Sequence, residues 1–460
     1  MEPFDQDLRD AFRRIELPAA PARLRAEVES LRAATRSRAG NAARLRWPRR
    51  SALVTLVAAV AVIALVAVAL PVLRGQPQTG PASPSASHPA PSATPIPSLS
   101  PVPVPTASEA SLIPADGPSI TWTTVPLSQF GSNTVFAVGA AQVGGTMVVA
   151  ANDSPPQNDM KPVIIESTNG ADWTLVPTDG AQFAHARLDY LLTVPGGLLL
   201  VGESQLPDPL CPAAAAGCNQ APAVTLMWRS SDGQTWQPLS AKAMAPFDRV
   251  WIVSIAAGPK GLVAFGLLDP VMGNPQNMVF HSLDGQNWSS AAFPDQSGGA
   301  TGVLVQSVAA TSTGFVAVGG DAAGAAWYSA DGLTWKRAST PSGSSCGPAT
   351  NAAAGSDGVV ANCMGLWVSA DGRTWLDTTA NSPFSYGQSW IAGDGTQILV
   401  ITGQSVYWSK DGETWHRGDS TPAMSGASVG GANLAWILGS TVIAAGSDDQ
   451  TLYVGSIAGH

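Results

Sequence analysis

Three side chains that could do chemistry together lie close along Ser329-Ala330-Asp331-Gly332-Leu333-Thr334-Trp335. A carboxylate between two hydroxyls can serve catalysis, hold a metal or cap a turn. Repetition decides among these. The pattern Ser-x-Asp-Gly-x-x-Trp recurs with Ser230, Asp232, Gly233 and Trp236, with Ser282, Asp284, Gly285 and Trp288, with Ser369, Asp371, Gly372 and Trp375, and with Ser409, Asp411, Gly412 and Trp415. A looser copy runs from Ser167 to Trp173 with Asn169 in place of Asp. Six copies in one chain specify architecture rather than an active site. Asp-Gly between β-rich runs reads as a two-residue type I′ hairpin, which needs positive φ at both central residues. Gly reaches that conformation without a Cβ penalty, and Asp and Asn tolerate it. With Asp331-Gly332 at the centre, Ser329 opposes Thr334. In the last copy Lys410 opposes Glu413 as a small cross-strand ion pair. The Trp buries its ring and keeps an N–H for a partner.

Other reactive types are sparse. Between residue 119 and the C-terminus the arginines are Arg187, Arg229, Arg249, Arg337, Arg373 and Arg417, and the glutamates are Glu166, Glu203 and Glu413. Arg229, Arg337, Arg373 and Arg417 lie in or beside the repeated motif, which leaves Arg187 and Arg249 at the starts of apolar runs. No Gly-rich phosphate loop, His cluster for a metal or nucleophile elbow is present, so neither cofactor nor metal is expected. His185, His281 and His416 are scattered. The four cysteines form two close pairs, Cys211 with Cys218 and Cys346 with Cys363, which suit two disulfides in an oxidising compartment.

The elements that must carry these residues are short β runs with Gly-rich turns, from about residue 119 to 460. Blocks such as Gly314-Phe315-Val316-Ala317-Val318-Gly319-Gly320 precede each Trp hairpin. Two apolar strands, a third entering the Ser-x-Asp-Gly turn and a fourth carrying the Trp make four antiparallel strands per repeat, the content of a propeller blade. The marker tryptophans Trp173, Trp236, Trp288, Trp335, Trp375 and Trp415 are spaced 63, 52, 47, 40 and 40 residues apart. Ser119–Val125, around Trp122, is a fourth strand without its first three, and 434–445 with 451–457 are three strands without a fourth. Together they complete one blade, predicting an all-β, seven-bladed propeller whose ring is closed by the two chain ends.

The motif resembles the Asp-box, or BNR, repeat of sialidases, Ser-x-Asp-x-Gly-x-Thr-Trp, with one residue missing between Asp and Gly in every copy here. The resemblance covers roughly residues 119 to 460. It implies a β-propeller with the boxes on peripheral turns between third and fourth strands, structural in role and remote from any active site. A sialidase-like site would need an arginine triad, a Tyr–Glu nucleophile pair and an Asp acid, and glycoside hydrolysis in general needs two placed carboxyls. The available Arg and Glu residues do not assemble that set, and the family's Arg-Ile-Pro signature is absent. Seven-bladed relatives such as photosystem II assembly factors show that the fold also serves as a scaffold, so fold alone does not choose.

Loop length supplies the functional expectation. The connections between second and third strands are long in the first three repeats, Asn152–Lys161, Glu203–Ala223 and Leu268–Asn277, and short in the next three. They share a face with the starts of the innermost strands, opposite the Trp turns, and would form a one-sided rim over the channel. Long loops on a rigid scaffold are where binding usually resides. The candidate ligand-binding residues are Arg187, Arg249, Asp153, Asp159, Glu203, Asp208 and Asp269.

Charge organises the rest of the chain. Residues 1–50 hold twelve Arg, no Lys and seven acidic residues, whereas residues from 75 onward hold 11 basic and 26 acidic ones. So acidic a body argues against a nucleic-acid partner, which needs clustered cations. Residues 51–73 are uncharged and rich in Ala, Val and Leu, long enough to span a bilayer. Arg44, Arg46, Arg49 and Arg50 precede them and only Arg74 follows at once, which predicts a single-pass anchor with the N-terminus in the cytoplasm. The 50 preceding residues are too many for an ordinary cleaved signal peptide. Residues 74–118, dominated by Pro, Ser, Ala and Thr, read as an extended linker. The expected organisation is an Arg-rich helical tail at 1–50, a transmembrane helix at 51–73, a linker at 74–118 and a propeller at 119–460 outside the membrane. Arg-rich tails of this kind resemble those of bacterial membrane regulators, including anti-sigma factors, so a cytoplasmic protein partner is a further expectation. The expected partner of the propeller is a protein or a glycan. The competing readings are a sialidase-like hydrolase and a transmembrane regulator.

Overall fold

The computed structural model describes residues 113–155, 160–206, 224–268, 276–294, 304–320, 324–341, 349–363, 365–382, 389–402, 405–420, 434–445 and 450–458. The tail, the apolar segment 51–73, the linker up to residue 112, Cys211, Cys218, Cys346, Asp159, Asp208 and Asp269 lie outside the described residues.

The strands form seven four-stranded antiparallel sheets. The chain enters through β1 (Ile120–Pro126). Blade 1 follows with β2 (Thr134–Val143), β3 (Thr146–Ser154), β4 (Lys161–Ser167) and β5 (Thr174–Val176). Blade 2 has β6 (Ala186–Val194), β7 (Gly197–Ser204), β8 (Thr225–Ser230) and β9 (Gln237–Pro238). Blade 3 has β10 (Val250–Gly258), β11 (Gly261–Leu268), β12 (Gln276–Ser282) and β13 (Ser289–Ala292). Blade 4 has β14 (Leu304–Ala310), β15 (Phe315–Gly320), β16 (Gly324–Ser329) and β17 (Lys336–Arg337). Blade 5 has β18 (Asn351–Ala354), β19 (Val359–Asn362), β20 (Leu366–Ser369) and β21 (Leu376–Asp377), and blade 6 has β22 (Ser389–Gly393), β23 (Ile398–Thr402), β24 (Ser405–Ser409) and β25 (His416–Ser420). Blade 7 joins β26 (Leu434–Leu438), β27 (Thr441–Ala445) and β28 (Thr451–Ile457) to β1, in the order β1-β28-β27-β26. The two chain ends therefore close the ring, as the Trp spacing implies. The first strands of consecutive blades contact one another in a closed circle, which makes them the channel wall.

The apolar core follows from this geometry. Each blade is a sheet with two buried faces, so its second and third strands read as near-continuous apolar runs. β3 is buried at every position from Met147 to Asp153, and β15 throughout. The core divides into seven clusters, one per seam between neighbouring blades. Third-strand tryptophans Trp228, Trp327 and Trp367 fill their seams completely. In the seam of blades 3 and 4, Trp335 meets Phe265 edge-on at 5.0 Å and Phe293 meets Trp327 at 5.3 Å.

The Trp turns differ from the two-residue hairpin that Asp-Gly suggests. The described non-glycine residues with positive φ are His185, Arg249 and Gln450, so no motif Asp is left-handed, while Gly332 has φ +79°. The register Trp327↔Arg337 and Tyr328↔Lys336 lengthens the loop by one position. Ser329 therefore does not oppose Thr334, and among the described ion pairs Lys410 is not joined to Glu413. Side chains hold the turn instead. Asp331 Oδ1 accepts the N–H groups of Leu333 at 2.9 Å and Thr334 at 2.6 Å. Ser329 Oγ accepts the Gly332 N–H at 2.9 Å and donates to Asp331 at 3.0 Å. The Trp335 indole N–H then donates to the Gly332 carbonyl at 3.0 Å. An Asp that caps two N–H groups stabilises a longer turn without leaving ordinary φ. The same Ser and Asp bonds recur around Asp232, Asp284 and Asp411. Asn169 substitutes through its carbonyl, which accepts from Ala171 and Asp172 at 2.9 Å.

The turn glycines also lock each blade onto the preceding one. A Cβ on Gly233 would lie 2.7 Å from Val148, on Gly372 2.4 Å from Val316, and on Gly412 2.4 Å from Val360. Each of these valines is on the second strand of the preceding blade. The motif is thus an interblade clamp as well as a hairpin.

Candidate functional site

The second-to-third strand connections 155–160, 205–224 and 269–275 of blades 1–3 exceed 321–323, 363–365 and 403–404 of blades 4–6. The strand ends that bound the long ones lie on the face where first strands begin, opposite the Trp turns. On that rim the first strands of blades 1–4 each carry a bulge, at Val138, Asp189, Val253 and Gln306. A bulge inserts one residue and re-aims its neighbours. In blades 2 and 3 the residue after it stitches to the next blade: Tyr190 Oη donates to the Val253 carbonyl, and Ser254 Oγ accepts the Val308 N–H at 3.0 Å.

Blade 2 turns this shared frame into a charged cluster. Arg187, second in β6, lies opposite Glu203 near the end of β7. Its guanidinium bonds Asp189 at 2.9 Å and Glu203 at 3.2 Å. Burial pushes the Asp189 carboxyl up to about 6, with Arg187 pulling it down and Glu203 adding to the rise. Burial also raises Glu203, against Arg187. The Tyr190 phenol is raised too, by burial and then by Asp189. Asp189 is absent from the residues that the sequence singles out. Its signal was the Arg187-x-Asp189 spacing at the head of an otherwise apolar run.

This cluster has a pH consequence. Between about pH 4 and pH 6, folded Asp189 retains a proton that the unfolded chain has released. Stability therefore falls as pH rises through that window, by at most about 3 kcal/mol for a shift of this size. Asp189→Asn, which cannot ionise, should melt higher than the parent at neutral pH by about 1–3 kcal/mol of stability, with the gap closing toward pH 4. Parallel melting curves across that range would show that Asp189 is not the titrating group. The turn aspartates act with opposite sign. The Thr235 N–H first, against burial, holds Asp232 down to about 2. At Asp331, burial is outweighed by the N–H groups of Thr334 and Leu333, again to about 2. Their stabilisation is present above the unfolded carboxylate range and lost as pH falls toward 2.

The remaining candidates are distributed as follows. Asp153 is buried at the end of β3, and its carboxylate accepts the N–H groups of Ser132 and Asn133 at 3.0 Å, fastening the approach to β2. Arg249 stands just before β10 in the left-handed region, φ +58°, matching His185, φ +56°, just before β6. Non-glycine residues there store strain. Asn152, which sequence reasoning passed over, is fully buried and clamps the Leu188 backbone, donating to its carbonyl at 2.8 Å and accepting its N–H at 2.9 Å.

A cleft of about 700 Å³ opens on the same rim at the junction of blades 1 and 2, walled by Phe130, Asp153, Lys161, Leu175, Phe183 and His185. That volume suits a ligand or an inserted side-chain group. Gln205 ties the two blades beside it, bonding the Met160 N–H at 2.7 Å and the Met160 carbonyl at 2.8 Å. Among the described residues no group of His, Cys, Asp and Glu is arranged to hold a metal ion.

The other arginines are committed elsewhere. Arg229 binds the carbonyls of Asp284 and Pro195, Arg337 stacks 5.7 Å from the Trp327 ring centroid, Arg373 lies 5.1 Å from that of Tyr328, and Arg417 donates to Ser405. They support turns and outer strands rather than the rim.

The fold and rim together define the chain as a seven-bladed β-propeller. Its sequence matches no protein-family model and no curated protein. It is similar to YCF48 bound to a D1 peptide, at 14% identity and TM-score 0.46 over 75% of this chain and 98% of that one. It is also similar to Trypanosoma rangeli sialidase in complex with sialic acid, at 14% identity and TM-score 0.33 over 71% of this chain and 55% of that one. The β-propeller domain of the trilobed protease from Pyrococcus furiosus aligns at 10% identity and TM-score 0.39 over 71% and 97%. These likenesses carry no statement about activity.

Proposed function

We propose that the chain is a membrane-anchored extracytoplasmic binding or scaffold propeller of the Asp-box type, engaging a protein or glycan through the rim of blades 1–3. The carrying observation is the coincidence, on one face, of the long connections, the cleft beside Lys161, the Arg187–Asp189–Glu203 cluster and the exposed Trp251. The anchor rests on the uncharged run 51–73 and its Arg-rich cytoplasmic flank. The disulfides Cys211–Cys218 and Cys346–Cys363 belong to the same reading, since the propeller would sit in an oxidising compartment. Four of the propeller's six arginines support turns and outer strands, which weighs against a sialidase-type arginine triad. The test is binding of the full-length chain, in lipid nanodiscs, to peptide and glycan arrays. Specific signals should fall about tenfold or more when Trp251→Ala and Lys161→Ala are combined, the loss expected for central contact residues. Signals indifferent to that pair would remove the rim from the account.

A further inference from the structure

We infer, resting on the rim reading above, that the seam of blades 2 and 3 takes a cationic side chain from a protein segment, a lysine or arginine flanked by apolar residues. Two carboxylates, Asp189 and Glu203, share the single guanidinium of Arg187. Among the described residues no other cation acts on either. One negative charge is left in a largely buried setting, where it is costly unless paired.

The fold does not require that charge. The positions matching Arg187, Asp189 and Glu203 by register and bulge are Phe136, Val138 and Asn152 in blade 1, Trp251, Val253 and Leu267 in blade 3, and Leu304, Gln306 and Gly320 in blade 4. Apolar or neutral residues satisfy the frame three times, so the charges of blade 2 answer to something other than packing.

Three exposed apolar side chains stand at or beside the strand ends that carry this cluster. Leu206 is 51% exposed, Val224 51% and Trp251 40%. They are continuous through the backbone: Ser204 N–H donates to the Val224 carbonyl at 2.9 Å, and Thr225, opposite Glu203, donates through Oγ1 to the Val250 carbonyl at 2.5 Å. Trp251 follows Val250 and holds in blade 3 the register position that Arg187 holds in blade 2, and an exposed indole one blade along the same rim offers cation–π attraction to an ammonium or guanidinium. A neutral glycan would use the ring but not the surplus charge. A basic segment with apolar flanks uses both.

The experiment titrates the full-length chain in nanodiscs with three probes, acetyl-Leu-Lys-Leu-Lys-Leu-amide, its glutamate counterpart and chitotetraose, at neutral pH. The lysine peptide should bind more tightly than either of the others. Glu203→Gln and Trp251→Ala should each weaken it at least about threefold, within the range of single charged and cation–π contacts. Glu413→Gln, an acid on the turn face, should leave it unchanged, and melting curves should show all three variants folded. No binding of the lysine peptide, equal or tighter binding of either other probe, or a smaller loss in either rim variant overturns the inference. Array ligands that still fall with Lys161→Ala in the cleft would leave the rim reading standing while this one fails.

Discussion

Deleting Ile120–Pro126 from the full-length chain should abolish cooperative folding of the propeller rather than trim one strand. β1 pairs with β28 along its whole length, from Ile120↔Ile457 to Pro126↔Thr451. Ile120 and Val125 are buried, each worth about 1.5–3 kcal/mol. Their removal uncovers Leu452 and Val454, which pack in the seam of blades 7 and 1 with Val125 and Leu127. Ile120 and Val125 alone account for about 3–6 kcal/mol, on the scale of the whole stability of an ordinary domain. It also opens the ring, leaving a β28 edge free to aggregate. The expected result is an insoluble chain or one without a cooperative melt. A soluble variant melting within about 2 °C of the parent, the shift of a loss near 1 kcal/mol, would mean that ring closure contributes little.

Gly332→Ala should be strongly destabilising although it adds only a methyl group. Gly332 has φ +79°, where a Cβ costs about 1–2 kcal/mol. That Cβ would also lie 2.6 Å from His281 Cδ2 and 2.7 Å from Val263 Cγ2, the latter on the second strand of blade 3, which is buried from Leu262 to Leu267. Strain and overpacking together predict a loss of about 3–4 kcal/mol, or roughly 5 °C in Tm for a propeller of this size. Gly144→Ala is the control. It shares the left-handed conformation, φ +55°, but nothing lies within 4 Å of its Cβ, so about 1 kcal/mol is expected. Equal losses at the two sites would show that the turn glycine serves its own hairpin alone and does not clamp neighbouring blades.

The blade count was legible because Trp236, Trp288, Trp335, Trp375 and Trp415 mark one structural position at intervals a four-stranded sheet can fill. Ring closure was legible because Trp122 begins the chain's β region with a lone fourth strand. The turn type was not. Asp-Gly signals positive φ at both residues only when side chains stay out of the turn, and here the Asp331 carboxylate takes two N–H groups that a shorter turn would leave unpaired. The rim was half legible. Arg187 and Glu203 stand out as rare charges, but their pairing depends on the β6–β7 register. Asp189 lies inside an otherwise apolar strand rather than in a loop, and the bulge beside it has no sequence signature. A buried Asn such as Asn152 reads like any loop asparagine until Leu188 appears beside it.

Recognition on the rim, with the repeated turns as scaffold, is the claim on which the functional account stands. The most direct measurement compares two full-length double variants on the same peptide and glycan arrays. One carries Trp251→Ala with Lys161→Ala on the rim. The other carries Leu283→Ala with Glu413→Ala on the turn face, where Leu283 is 70% exposed. The account predicts that the rim pair loses about 90% or more of every specific signal, as truncated central contacts do, while the turn-face pair binds like the parent. Signals that survive the rim pair and fall with the turn-face pair would contradict it, and would move recognition to the Trp turns.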